Sequence, residues 1–294
     1  MVVYGTKVIS DIKLKFDLPT DAPFKYTIHL SSNIPKDFNQ QLTCGTYLHT
    51  THNHKIYLFS DRDINQELKP SQPLCYEVDS KVRFYWYHGS TQIYYELIDI
   101  TLEAFSFWFL HPFFPMFLSI EEYFVLLHGS AIEIDGKSIL FLAPYKSGKS
   151  TLTHYIYKQG HHLITDDILP TFVEDNQLYY TPSHPYSRPF RQAQSIGYKV
   201  TKFKHTFGKI DKIYIIRDSH QDDNSITITP LQGIEKFKLI KQNSLIYTFK
   251  GLKLKHEKHL GLLMTTVDVY LLQRPWGKEY IHNIYEAIKN HLNN

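Results

Sequence analysis

Cysteine is nearly absent from this sequence: 294 residues carry only Cys44 and Cys75. Two thiols cannot make a disulfide framework in a chain of this length, and without a Cys-x-x-Cys spacing they do not suggest a structural zinc. A reducing cytoplasm is the expected compartment. A dominant charge is lacking too. Lys and Arg number 32 against 29 Asp and Glu, for a net +3. The basic residues form no dense block, so no nucleic-acid partner is expected. There is also no long hydrophobic run. The most apolar stretch, Phe105–Leu118 (FSFWFLHPFFPMFL), is too short to span a bilayer and is interrupted by Pro112 and Pro115. A buried helix is the expectation there. The opening MVVYGTKVISDIKLKFDLP has polar residues at every second or third position and does not read as a secretory signal. No internal repeat and no low-complexity tract is present. The 17 histidines include His52 and His54 and the pair His161 and His162, all in polar, loop-like contexts.

What is present divides into two textures. Residues 1–100 read as strands separated by turns. Lys7–Phe16 alternates, as does Tyr26–Leu30, and Lys55–Phe59 and Lys81–Tyr87 are short aromatic or β-branched runs. Turn clusters fall at Pro19–Pro23, Ser31–Pro35, Asp61–Asp63 and Pro70–Pro73. Leu102–Leu127 reads as an apolar helix. Beyond residue 160 strands (Lys209–Arg217, Ser225–Thr229, Val267–Leu272) mix with helices (Gly233–Tyr247, Lys278–Leu292), which predicts an α/β core.

The chemistry centres on Ala143-Pro-Tyr145-Lys146-Ser147-Gly148-Lys149-Ser150-Thr151. This matches the phosphate-loop pattern G-x-x-x-x-G-K-[ST] except that Ala stands at the first glycine. A predicted strand, Ser138–Leu142, precedes it and a predicted helix, Leu152–Lys158, follows, which is the context the motif requires. Backbone N–H groups of such a loop point at phosphates. Gly148 keeps the backbone clear of a Cβ, Lys149 neutralises the β/γ-phosphates, and Ser150 offers a hydroxyl to Mg²⁺. Ala143 departs from the pattern, because Gly there permits conformations that Ala resists.

Two elements converge on this loop. Asp166-Asp167 end the apolar stretch His162–Thr165, and a strand beside the phosphate-loop strand would bring both carboxylates to the phosphates. One could hold Mg²⁺ and the other accept a proton from an attacking hydroxyl. The second element is His128-Gly129. Asp135-Gly136 between two apolar runs is a strong two-residue hairpin signal. It pairs Ile134 with Lys137, Ile132 with Ile139 and Ser130 with Phe141, and places His128 opposite Ala143.

His128-Gly129, the loop, and Gly160-His161-His162-Leu-Ile-Thr-Asp166-Asp167 occur in the order and spacing of HPr kinase/phosphorylase. The chain resembles that family over 125–170, and more weakly through Lys212–Arg217, Thr229–Leu231 and Val267–Pro275. The resemblance implies an α/β core like phosphoenolpyruvate carboxykinase, with a β-rich N-terminal region over 1–100 and a nucleotide-binding kinase domain over 101–294. It implies ATP and Mg²⁺ as cofactors. His128 and Asp167 would form the acid/base pair, and Lys149, Ser150 and Asp166 would serve phosphate and metal, with the two aspartates interchangeable. Residues 145–151 would contact the nucleotide.

No Glu-x-x-Gly-x-Gly element follows residue 170. The segment Thr181-Pro-Ser-His-Pro-Tyr-Ser-Arg188-Pro-Phe190 instead looks like shorter HPr-kinase-like enzymes of bacterial peptide maturation, including kinases of the C-terminal serine of lasso-peptide precursors. Tyr4-Gly5, Ser10-Asp11 and Leu18-Pro19 look like the opening of those proteins. The implied partner is a peptide or small protein bearing a serine hydroxyl. Arg188 and Arg191, in a loop stiffened by Pro182, Pro185 and Pro189, are the expected clamp for a terminal carboxylate. HPr itself, a small-molecule acceptor, or a nucleotide-binding scaffold without turnover are the alternatives. Homo-oligomerisation stays open.

Overall fold

The computed structural model describes the chain except residues 65–66, 145, 189–194, 220–223, 245–252 and 294. The fold is mixed α/β with several sheets, in two compact units. The first contains residues 1–123 and the second residues 124–191, 196–245 and 256–294. The break therefore follows Tyr123 rather than residue 100, because the apolar helical segment packs with the N-terminal strands.

In the first unit the strands are β1 (Val2–Val3), β2 (Thr6–Ser10), β3 (Tyr26–Ser31), β4 (Cys44–Thr51), β5 (His54–Ser60), β6 (Pro73–Val78), β7 (Val82–Tyr87) and β8 (Gln92–Leu97). They form one sheet in the order β1-β2-β3-β8-β7-β6-β5-β4. The predicted Lys7–Phe16 strand stops at Ser10. Asp11 ends it by accepting hydrogen bonds from the Ser32 N–H (2.7 Å) and the Tyr95 hydroxyl (2.9 Å). Pro73 begins a strand instead of closing a turn, a position where its missing N–H is tolerated.

Helices α1 (Leu102–Trp108) and α2 (Phe114–Ile120) cover this sheet, joined by a wide π-type turn over Phe109–Phe113 that contains Pro112. Thr101 caps α1 by accepting from the Ala104 N–H. Proline lacks an N–H, so the ladder widens there instead of continuing as one straight helix. Phe84 stacks on Phe113 with centroids 4.0 Å apart, and on Phe105 at 5.6 Å. The stretch expected as a buried helix is thus a buried, broken one. Among the described residues no helix is long and apolar enough to cross a membrane.

The second unit is built on β9 (Val125–Ile134), β10 (Lys137–Leu142), β11 (His162–Thr165), β12 (Ile168–Glu174), β13 (Gln177–Tyr180), β14 (Tyr186–Ser187), β15 (Tyr198–Lys199), β16 (Lys212–Asp218), β17 (Thr227–Pro230) and β18 (Asp268–Arg274). Its main sheet runs β13-β12-β9-β10-β16-β18-β17, with β10, β16 and β18 mutually parallel. Its helices are α3 (Lys149–Lys158), α4 (Gly233–Gln242), α5 (Lys253–Thr266) and α6 (Ile281–Asn293). The end of the predicted Gly233–Tyr247 helix lies outside the described residues. Alternate residues of the sheet enter two cores: Leu140, Leu142, Ile213 and Ile215 pack with Ile240 of α4 and Leu260 and Leu263 of α5. Ile139, Phe141, Tyr214 and Ile216 pack with Leu152 of α3 and Ile284 and Ile288 of α6. Burial on both faces explains why β10 reads as a continuous apolar run.

Candidate functional site

The Asp135-Gly136 turn sets the geometry. Both residues take positive φ (49° and 83°), as a two-residue type I′ hairpin requires. The resulting register is Ile134↔Lys137, Ile132↔Ile139, Ser130↔Phe141 and Gly129↔Leu142, as the sequence predicts. The ladder ends there: on that edge His128 meets residues 243–244 and not Ala143 as expected, while Leu142 leads directly into the loop. On its other edge β9 pairs with β11 and β12, Thr165 opposite Ala131 and Ile168 opposite His128. Asp166 and Asp167 fill the two positions between, facing Ser130 and Gly129. The Gly129 N–H accordingly donates to the Asp167 carbonyl at 2.9 Å.

The aspartates thus arrive beside the histidine strand, with β9 lying between them and the loop strand; the expected direct neighbourhood of β11 and β10 does not occur. Gly129 makes this possible. A Cβ there would sit 2.6 Å from the Phe141 carbonyl oxygen, so only glycine lets β9 and β10 approach this closely.

His128 Nδ1 lies 3.5 Å from Asp167 Oδ1, both side chains being part-exposed. The His128 N–H donates to the Asn243 carbonyl at 2.7 Å. Asp166 is a different group, only 2% exposed. Ser130 Oγ donates to its carbonyl (2.8 Å) and lies 3.3 Å from Oδ1, Ser187 Oγ lies 3.5 Å from Oδ2, and the Arg188 N–H donates to Oδ2. A buried carboxylate is tolerable only with such donors. Asp166 therefore anchors the 183–188 segment instead of presenting oxygens to a metal. Thr165 Oγ1 adds a 2.6 Å contact to Ser183 Oγ.

The loop itself is formed. Lys149 begins α3, with its ammonium donating to the carbonyls of Ala143 (2.5 Å) and Pro144 (3.0 Å). Ser150 and Thr151 occupy the first turn. Ala143 is not at positive φ; its methyl is buried in the core beside Leu152 and Ile156, so the missing glycine is accommodated. The left-handed positions fall to Gly148 (φ 80°) and Lys146 (φ 64°), the latter a strain of about 1–3 kcal/mol of the kind that concentrates at functional sites. Ser147 Oγ is buried without a hydrogen-bond partner among the described residues, which suits a loop that receives an acceptor oxygen. Tyr145 lies outside the described residues.

A groove of about 680 Å³ runs along the loop, lined by Pro144, Lys146, Ser147, Arg217, Asp218 and Asn243. It opens at the C-terminal ends of the parallel strands, the usual ligand position in such sheets. Arg188 is buried, and Arg191 lies outside the described residues. His184 is also buried. Burial pushes its pKa down to about 4, and the Arg188 charge adds to that, while Asp167 opposes it.

Sequence reasoning passed over Ser130, His184, Ser187, Arg274 and Trp276. For the last two a signal existed: an Arg and a Trp leaving a buried strand, at the sheet end where the loop leaves β10. Arg274 donates to the Ser147 carbonyl at 2.6 Å and lies 3.3 Å from Asp218.

Among the described residues no cluster of three or more His, Cys, Asp or Glu could hold a cation. Mg²⁺ needs none, since it keeps waters and binds substrate phosphates with one or two protein ligands. The Ser150 hydroxyl, in the first turn of α3, fits that role, whereas the Asp166 carboxylate is engaged by Ser130, Ser187 and the Arg188 N–H.

No protein-family model matches the chain, and no curated protein matches it. Among solved structures it is similar to the Hpr(Ser) kinase/phosphatase from Coxiella burnetii, at 14% identity over 56% of this chain and 95% of that one, with a TM-score of 0.35. A superposition that shallow assigns no function.

Proposed function

We propose that this chain is an ATP-dependent serine kinase with a core of the phosphoenolpyruvate-carboxykinase/HPr-kinase type. It transfers the γ-phosphoryl group of Mg·ATP to a serine hydroxyl on a peptide or small protein. The observation that supports the reading is the pairing of Gly129 on both sides, with Leu142, which leads into the loop, and with the Asp167 backbone, next to the His128–Asp167 contact.

The loop amides and Gly148 receive the phosphates, and Lys149 exchanges its two carbonyl partners for phosphate oxygens. Ser150 would hold Mg²⁺ together with waters and phosphate oxygens, and the ion would neutralise charge on the phosphates. Asp167 accepts the serine proton as the serine oxygen bonds to the γ-phosphorus and the bond to the β–γ bridging oxygen breaks, releasing ADP. His128 orients the Asp167 carboxylate. Arg188, whose backbone N–H donates to Asp166 next to Asp167 in the chain, is the cation for an anionic group beside the acceptor, such as the carboxylate of a chain-terminal serine.

The test is ADP formation with a peptide ending in free serine. Lys149→Ala should lower turnover by about 10²–10³-fold, the usual cost of one transition-state contact in a water-poor site. Equal turnover in the variant removes the kinase reading. Amidating the peptide C-terminus should raise its KM; an amide phosphorylated as well as the acid ends the terminal-serine reading alone.

A further inference from the structure

A second cavity, of about 180 Å³, opens on the far side of Gly148. Gly148, Thr151 and Leu152 form one wall, Ile281 and Ile284 of α6 another, and Trp276 the rim. It is smaller than the roughly 300–1,000 Å³ of sites that hold a whole drug-sized ligand, and suits a ring system. Trp276 is 59% exposed, an unusual placement for the largest side chain. The Arg274 guanidinium covers one part of it, 4.9 Å above the ring, while donating to the Ser147 carbonyl. The slot wall and the phosphate loop are therefore tied by one side chain. Gly277, at φ 144°, lets the chain turn from Trp276 towards α6 in a conformation other residues avoid.

We infer that this slot receives the adenine ring of the nucleotide, stacked against Trp276, with its phosphates running past Gly148 into the loop. The inference rests on the phosphate-loop reading above. Continuity argues for it, because Gly148 belongs to both the loop and the slot, and Trp276 lines both the slot and the groove. Leu152, Ile281 and Ile284 give a purine ring apolar contact, while Thr151 and Lys278 line the same slot beside its edge.

The experiment compares Mg·ATP and Mg·tripolyphosphate by calorimetry, with the tryptophan emission of the full chain as a second readout. Trp86 and Trp108 are buried in the other unit, so Trp276 is the fluorophore placed to sense a base. Trp276→Ala should weaken ATP binding by roughly five- to a hundredfold, the usual worth of a base–aromatic stack, and leave tripolyphosphate binding unchanged. ATP, but not tripolyphosphate, should alter the emission. Ile281→Asp, which charges the slot without touching Trp276, should repeat the loss for ATP alone. Lys149→Ala should weaken both ligands. If Trp276→Ala changes ATP and tripolyphosphate alike, or neither, the slot is overturned while the phosphate loop stands. If the wild type binds neither ligand, both fall.

Discussion

The two units bury different things. The first fills its interior with rings: Tyr76, Phe84, Tyr85, Trp86, Phe105, Phe109, Phe113 and Phe117 are fully inside, and among the described residues its buried set holds one Asp, Glu, Lys or Arg, Glu77, and one histidine, His111. The second buries Lys149, Asp166, Arg188, Lys236 and Arg274, with His184, His256 and His259. Burying charge opposes folding unless hydrogen bonds and partners compensate, so a unit that does it repeatedly is maintaining something besides stability. Position separates the useful charges from the structural ones. Lys236 donates to the Val267 carbonyl and joins α4 to the end of α5, whereas Lys149, Asp166, Arg188 and Arg274 gather around one loop and one pair of aspartates.

The contrast can be broken from either side. Phe84→Ala removes a ring stacked between Phe105 and Phe113 and should cost about 3–5 kcal/mol, read as a fall in the denaturation midpoint. The protein that remains folded should keep its Mg·ATP affinity; a change in affinity would make the first unit part of the site. Asp166→Ala should cost on the order of 3 kcal/mol, because donors from Ser130, Ser187 and Arg188 lose a buried acceptor. If stability is unchanged and only metal dependence shifts, Asp166 is a ligand and not an anchor.

Gly129→Ala should cost about 1–3 kcal/mol through collision with the Phe141 carbonyl, and should lower turnover because it pries β9 from β10. A stable, fully active Gly129→Ala would show that the close approach does not matter.

A further effect is one of pH. His184 has its folded pKa lowered to about 4, so it stays neutral in the folded state while the unfolded chain takes up a proton below about 6.5. The unfolded state binds more protons in that window, so stability is full above it and falls as pH drops from 6.5 towards 4, by up to roughly 3 kcal/mol. His184→Gln should flatten that part of the stability–pH curve; an unaltered slope would contradict the assignment.

How much of this was legible depended on locality. Asp135-Gly136 accepts few backbone conformations, so the β9–β10 register as far as Gly129 followed from a dipeptide; the meeting of His128 with Asn243 did not, since it joins distant segments. The loop was legible because its residue types answer to phosphate chemistry. The pairing of β11 with β9 was not, since it joins segments about thirty residues apart and nothing local in His162–Thr165 chooses the neighbour. The burial of Asp166 depends on Ser130 and Ser187, which look like ordinary strand serines until the register is known. Trp276 was missed because a tryptophan after a buried strand reads as core. The helical stretch 102–120 was placed with the wrong unit, as an all-round apolar helix does not say which sheet it covers.

Binding and chemistry separate most directly at Asp167. Asp167→Asn keeps the size and a hydrogen-bonding oxygen for His128, but cannot take a proton at neutral pH. Calorimetric affinity for Mg·ATP and single-turnover phosphoryl transfer should be measured on the same preparation. Affinity should stay within about threefold of wild type while transfer falls by about 10²–10⁴-fold, the range for a positioned acid–base group. Transfer at the wild-type rate, or a loss of affinity with the bound-state rate unchanged, would contradict the account.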